Sequence, residues 1–144
     1  DISVRANMVL SLGVLGYQQE QEKFLDNLSN LVDRKGYLIF TTANGDSFLR
    51  LSRQYLSKLD SFIKGKTKSK GVEFFSIRNK KVDSLLIKNG FKVEKKVYMT
   101  FGLGLVASSI ECSMDRWFFK YFSNNSFIGK YFSLSVIYVY KRVD

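Results

Sequence analysis

The groups that most often carry enzymatic chemistry are scarce in this chain. Its 144 residues include no histidine and a single cysteine, Cys112. A histidine-based triad is therefore excluded and a zinc site disfavoured. No internal disulfide can form, which suits a reducing cytoplasm. What remains is backbone, amide and hydroxyl chemistry at loop positions. Leu12 ends a short apolar run, Met8-Val-Leu-Ser-Leu12, and Gly13, Val14 and Tyr17 follow it. Open α/β sheets bind ligands in the crevice outside the carboxyl ends of their strands. A glycine there lets a ligand approach the backbone closely, and the Tyr17 phenol can hydrogen-bond a substrate. Asn44 stands at the exit of a second apolar run, where it either contacts substrate or closes an Asx turn. Such residues bind and orient, and they suit a reaction whose difficult chemistry is brought by a cofactor. None is assigned as a catalyst.

The elements that would hold these positions are legible in the hydrophobic period. After the run at Met8, Phe24, Leu25, Leu28, Leu31 and Val32 recur at three- and four-residue steps, one face of an amphipathic helix. Glu20 and Glu22 sit in its first turn and Arg34 and Lys35 in its last, matching the helix dipole. Gly36 stands where a left-handed cap is expected. Tyr37-Leu-Ile-Phe-Thr-Thr42 then reads as a buried strand. A strand, a helix and a strand of this length predict a βαβ unit, with the two strands parallel and the crossover right-handed.

The stretch "NMVLSLGVLGYQQEQEKFLDNLSNLVDRKGYLIFTTAN" resembles the fourth strand, following helix and fifth strand of a class I S-adenosylmethionine-dependent methyltransferase. A second passage, "FFSIRNKKVDSLLIKNGFKVEKKVY", resembles that family's next helix and sixth strand. The resemblance implies an α/β, Rossmann-like fold, a mixed sheet with an antiparallel last strand and helices on both faces. Its spatial order would be the family's fourth, fifth, seventh and sixth strands. It implies S-adenosylmethionine as cofactor, with Asp1 and Ile2 at the adenine and Leu12, Gly13 and Val14 along the cofactor edge. Tyr17, Asn44 and Trp117 would face the methyl acceptor, a small molecule or lipid-like compound. Two departures stand out: Asn7 replaces the family's usual aspartate, and Asp33-Arg-Lys-Gly36 replaces a Pro-Gly-Gly turn.

On this resemblance residues 1–144 form part of a methyltransferase domain, without the first three strands and their Gly-rich cofactor loop. The missing N-terminal half is then the first partner, and the piece alone is expected to be inactive. The strand at Met8 is expected to be an exposed apolar edge.

Downstream, Asp46 or Ser47 can cap a further helix with Phe48, Leu49, Ser52 and Tyr55 on its buried face. Val82, Leu85 and Leu86 mark another helix, closed by Asn89-Gly90. Leu134 to Tyr140 alternates as a strand. Residues 99–133 read as a variable lid or insertion containing a helix from Ser109 to Phe122. Its Trp117 cluster is a lid over an apolar substrate, a membrane-surface patch, or a face packed on the sheet. The formal charge is +10, and Lys64, Lys66, Lys68 and Lys70 crowd one linker. That linker is either a solvated loop or a docking strip for phosphate. A non-enzymatic module that binds nucleic acid or an anionic membrane is the rival reading, as is a methyltransferase-like fold without activity. No recognised nucleic-acid motif supports the first.

Overall fold

A four-stranded mixed sheet organises the chain. The computed structural model describes residues 5–52, 55, 75–100, 108–124 and 126–143. Among these, β1 (Ala6–Ser11) leads through a 3-10 turn at Leu15–Tyr17 to α1 (Gln21–Asn30) and β2 (Val32–Ala43). Then come α2 (Asn79–Lys88), β3 (Phe91–Met99), α3 (Ser108–Phe122), α4 (Ser126–Phe132) and β4 (Ser135–Arg142). The Lys64–Lys70 linker, Asp1 and Ile2 lie outside the described residues.

The spatial order is β1-β2-β4-β3. β1 and β2 run parallel, and β4 is antiparallel to both its neighbours. This is the order and polarity expected from the sequence. Period-two alternation sends Leu38, Phe40, Val136, Tyr138 and Tyr140 to one face, all fully buried. There they meet Leu25 of α1 and Val82 and Leu86 of α2, with Phe118 and Phe122 of α3 packed against the same cluster. Phe40 stacks on Tyr138 with ring centroids 5.0 Å apart. The alternate residues Ile39, Ile137 and Val139 are only half-buried. On β1, at the sheet edge, Met8 and Leu10 are more than half exposed.

Two buried tyrosines reach across the core to polar groups on α2. The Tyr138 hydroxyl donates to Asn79 Oδ1, and Tyr140 donates to Asp83 Oδ1 at 2.5 Å. Lys96 Nζ completes the set 2.5 Å from Asp83 Oδ2. A buried hydroxyl left without a partner is costly, so these bonds fix how α2 lies on the sheet.

Three local readings need correction. The first helix ends at Asn30, with Leu31 as its C-cap, so Arg34, Lys35 and Gly36 belong to β2 and not to a helix end. Ala6 pairs with Val32 but Met8 with Tyr37, so residues 33–36 form an irregular excursion in the parallel ladder. Lys35, with φ 60°, takes the left-handed turn there. Gly36 is needed for close approach: a Cβ would sit 2.9 Å from the carbonyl oxygens of Asn7 and Asp33. Gly36→Ala should therefore destabilise the fold by about 1–3 kcal/mol, as overpacking against backbone does. A urea midpoint unchanged from the parent would refute that reading. Third, Ser47 does cap helical residues 48–52, its Oγ accepting from Arg50 N at 3.3 Å, but Phe48 and Tyr55 are exposed.

Candidate functional site

Parallel strands end their carboxyl termini side by side, and β1 and β2 do so here at Ser11 and Ala43. A cavity of about 450 Å³ opens at this place. Gly13 and Gly16 form one wall, Thr41, Thr42 and Ala43 the floor. The far wall comes from Thr100, after β3, and Leu134 and Ser135, where β4 begins. The antiparallel last strand thus brings its amino end to the carboxyl ends of its neighbours. Arg50 reaches in from the helical residues after Ser47.

The loop after β1 is shaped for close approach. Gly13 adopts φ +72°, which side-chain-bearing residues resist. Its N–H donates to Thr41 Oγ1 at 2.6 Å, tying the loop to the end of β2. Gly16 carbonyl accepts from Phe75 N at 2.7 Å, which brings the chain after residue 75 against the same loop. That chain bridges in parallel to Asn44 through Ile77.

The lining is hydroxyl-rich and poor in acids and bases. Thr42 Oγ1 is buried without a hydrogen-bond partner among the described residues, as is Ser11 Oγ at the end of β1. Ser135 Oγ donates to Thr100 Oγ1 at 3.1 Å. Burial pushes the Arg50 guanidinium below its usual pKa. No carboxylate or imidazole lines the cavity among the described residues; those that do line it offer hydroxyls, one guanidinium and apolar enclosure. The volume is within the range of small-molecule sites, roughly 300–1,000 Å³.

No protein-family model matches the sequence, and comparison with curated proteins finds no match. Solved structures do match across nearly the whole chain. One is magnesium protoporphyrin IX methyltransferase of Synechocystis PCC 6803 with bound SAH, at 17% identity and TM-score 0.54, covering 99% of this chain and 47% of that one. Another is a SAM-dependent methyltransferase, possible histamine N-methyltransferase, of Thermotoga maritima, at 15% identity and TM-score 0.56, covering 100% and 60%. A SAM-dependent methyltransferase of Archaeoglobus fulgidus matches at 12% identity and TM-score 0.55, covering 96% and 60%. The chain has the class I methyltransferase fold. It spans between 47% and 60% of the length of these three structures.

Within the methyltransferase fold the sequence-predicted positions separate. Gly13 lines the cavity. Leu12, Val14 and Tyr17 share its loop but are 60%, 40% and 56% exposed and are not among the described lining residues. Asn44 is wholly buried, and its side chain serves as a clamp instead of facing the cavity. Nδ2 lies 2.7 Å from Lys130 O and 3.0 Å from Ser133 O, while Oδ1 accepts from Asp46 N. Trp117 is on α3, 54% exposed, with its ring edge-on to Phe118 and outside the described lining. Arg50, Thr100 and Ser135 were not anticipated. Thr100 and Ser135 follow from the strand order, which puts both β3–β4 ends beside Thr42, whereas Arg50 has no signal in its helical period.

Among the described residues no helix is long and apolar enough to cross a membrane.

Proposed function

We propose that this chain carries the acceptor-side part of an S-adenosylmethionine-dependent methyltransferase acting on a small or lipid-like molecule in the cytoplasm. One observation carries the reading: two adjacent parallel strands end on a shared cavity walled by a glycine loop. The residues present suit the cofactor. Gly13 admits close backbone approach, and the buried Thr42 hydroxyl lacks, among the described residues, a partner that a polar ligand atom can supply. Asp1 and Ile2 are assigned to the adenine, and Leu12 and Val14 flank Gly13. Tyr17, in the same loop, is the residue assigned to the acceptor. When bound, S-adenosylmethionine supplies an electrophilic methyl carbon and its own leaving group.

The protein's share is then alignment and exclusion of water. Leu134 and Met99 provide apolar enclosure, and Arg50 offers a desolvated cation to an acceptor that carries negative charge. The exposed β1 edge and the half-buried second sheet face are where the remainder of a complete domain would pack.

Equilibrium binding of S-adenosylmethionine to the full-length protein tests the reading. One-to-one binding is expected, and its absence would sink the proposal. Gly13→Val places a β-branched residue at positive φ, at a strain of about 1–2 kcal/mol. It should weaken cofactor binding about tenfold while leaving far-ultraviolet circular dichroism unchanged.

A second reading concerns location. Trp117, Phe119, Tyr121 and Phe127 are between 46% and 70% exposed on consecutive helices. Lys120 and Lys130 lie over the Tyr121 and Tyr131 rings. Aromatic rings interleaved with cations suit a peripheral membrane contact that would deliver a lipid-like acceptor. Failure to co-sediment with anionic vesicles would exclude it.

A further inference from the structure

A second cavity, of about 340 Å³, lies between the start of α2, the end of β3 and α4. It shares no lining residue with the cavity at the β1 and β2 ends. Three lysines border it, Lys80, Lys96 and Lys130, against one carboxylate, Asp83. That carboxylate is already engaged by Lys96 on one oxygen and by the Tyr140 hydroxyl on the other. Lys80 and Lys130 have no carboxylate partner among the described residues.

Asn79 supplies the second observation. The residue lines the cavity and is 3% exposed. Its Oδ1 accepts from Tyr138, and its Nδ2 has no hydrogen-bond partner among the described residues. A buried donor without an acceptor is costly, and a bound anion would recover that cost. The first backbone N–H of α2 is already taken by Asp46 Oδ2 at 3.3 Å, so recognition falls to the side chains. The remaining walls are the rings of Tyr98, Phe127 and Tyr131. Phe127 is 70% exposed, a large apolar surface at the mouth.

We propose that this cavity binds a small phosphate monoester bearing a planar ring. The phosphate oxygens accept from Asn79 Nδ2 and from the Lys80 and Lys130 ammonium groups. Lys96 remains paired with Asp83 and adds its field. The ring packs against Phe127 and Tyr131. Ammonium groups serve a tetrahedral anion well as point charges, and aromatic walls favour a ligand with a π-face. This site is independent of cofactor binding at Gly13.

The test is calorimetric titration of the full-length protein with phenyl phosphate and with inorganic phosphate. Phenyl phosphate should bind one-to-one, and more tightly than inorganic phosphate. Asn79→Asp keeps an acceptor for Tyr138 and turns the free amide into an anion, so binding should be lost. If that variant fails to fold, the surface pair Lys80→Gln/Lys130→Gln decides the matter. Each substitution removes a charge-assisted hydrogen bond to the phosphate, so the pair should weaken binding about 100-fold or more. Binding unchanged in the lysine pair, or no binding of phenyl phosphate to the parent, would overturn the proposal. So would equal affinity for inorganic phosphate, or displacement of phenyl phosphate by S-adenosylmethionine, which would place the ligand in the other cavity.

Discussion

Raising the pH above about 10, the ordinary tyrosine pKa, should unfold this protein steeply. Burial raises the pKa of both Tyr138 and Tyr140, and the nearby Asp83 charge raises them further. Tyr98 is shifted in the same direction by burial, then by Asp83 and Asp46. The folded state therefore keeps protons that the unfolded chain gives up. Stability from these groups is complete below the unfolded pKa and is lost as pH rises through that value toward the folded one. Each such tyrosine contributes a slope of about 1.4 kcal/mol per pH unit. Tyr138 and Tyr140 together should remove roughly 3 kcal/mol per unit, a large part of the ~5–15 kcal/mol that typically separates folded from unfolded. In an alkaline titration, tyrosinate absorbance from the buried rings should appear only together with loss of circular dichroism. Full tyrosine ionisation in a protein that keeps its helical signal would refute the assignment. Tyr138→Phe should make the loss shallower, while weakening the fold at neutral pH because Asn79 Oδ1 loses its donor.

Asn44→Ala should be the most damaging single substitution next to the cavity. The amide holds three acceptors on α4 and the residue after it: Lys130 O, Ser133 O and Ser133 Oγ at 2.9 Å. It also accepts from the Asp46 backbone. Truncation leaves these groups buried and unmatched, each worth about 1–3 kcal/mol, and adds a small void. A total loss of about 3–5 kcal/mol is expected, with a lower urea midpoint and faster amide exchange in α4. A loss below about 1 kcal/mol, the ordinary size of a substitution, would mean that the clamp does not hold α4 to the end of β2. Asn44→Asp is expected to behave as badly, since a second oxygen would face two carbonyl oxygens.

Much of the sheet was legible because its strands alternate. Val136, Tyr138 and Tyr140 fall on one face of a period-two pattern, and Val82 and Leu86 on one side of a period-3.6 pattern. The order of the strands came from resemblance, since period alone does not say which strands are neighbours. Gly36 misled because a glycine needed for close approach and one needed for positive φ look identical in sequence. Gly90, with φ 82°, is the true left-handed glycine beyond a helix end. The helix at Ser126–Phe132 is not legible because its seven residues are too few for a helical period to stand out. Its Gly129 lies so close to Tyr98 that a Cβ would sit 2.4 Å from the ring. Asn79 and Asp83 escaped for another reason: their tyrosine partners lie 59 and 57 residues away. Short polar residues on a helix give no sign of what the tertiary fold brings to them.

The position of β4 has a bearing on how the protein is made. Among the described residues β3 pairs in the sheet with β4 alone, and β4 is translated later. A nascent chain leaving the ribosome must therefore carry β3 past α3 and α4 before a proper mate exists. During that interval a bare strand invites pairing with other molecules. Lys92, Glu94, Lys95 and Lys96 crowd this strand with charge, and such residues deter premature partners. Lys96 is later neutralised by Asp83 once the sheet closes. The same lysine that guards the unfinished strand thus becomes part of the finished core's polar lock.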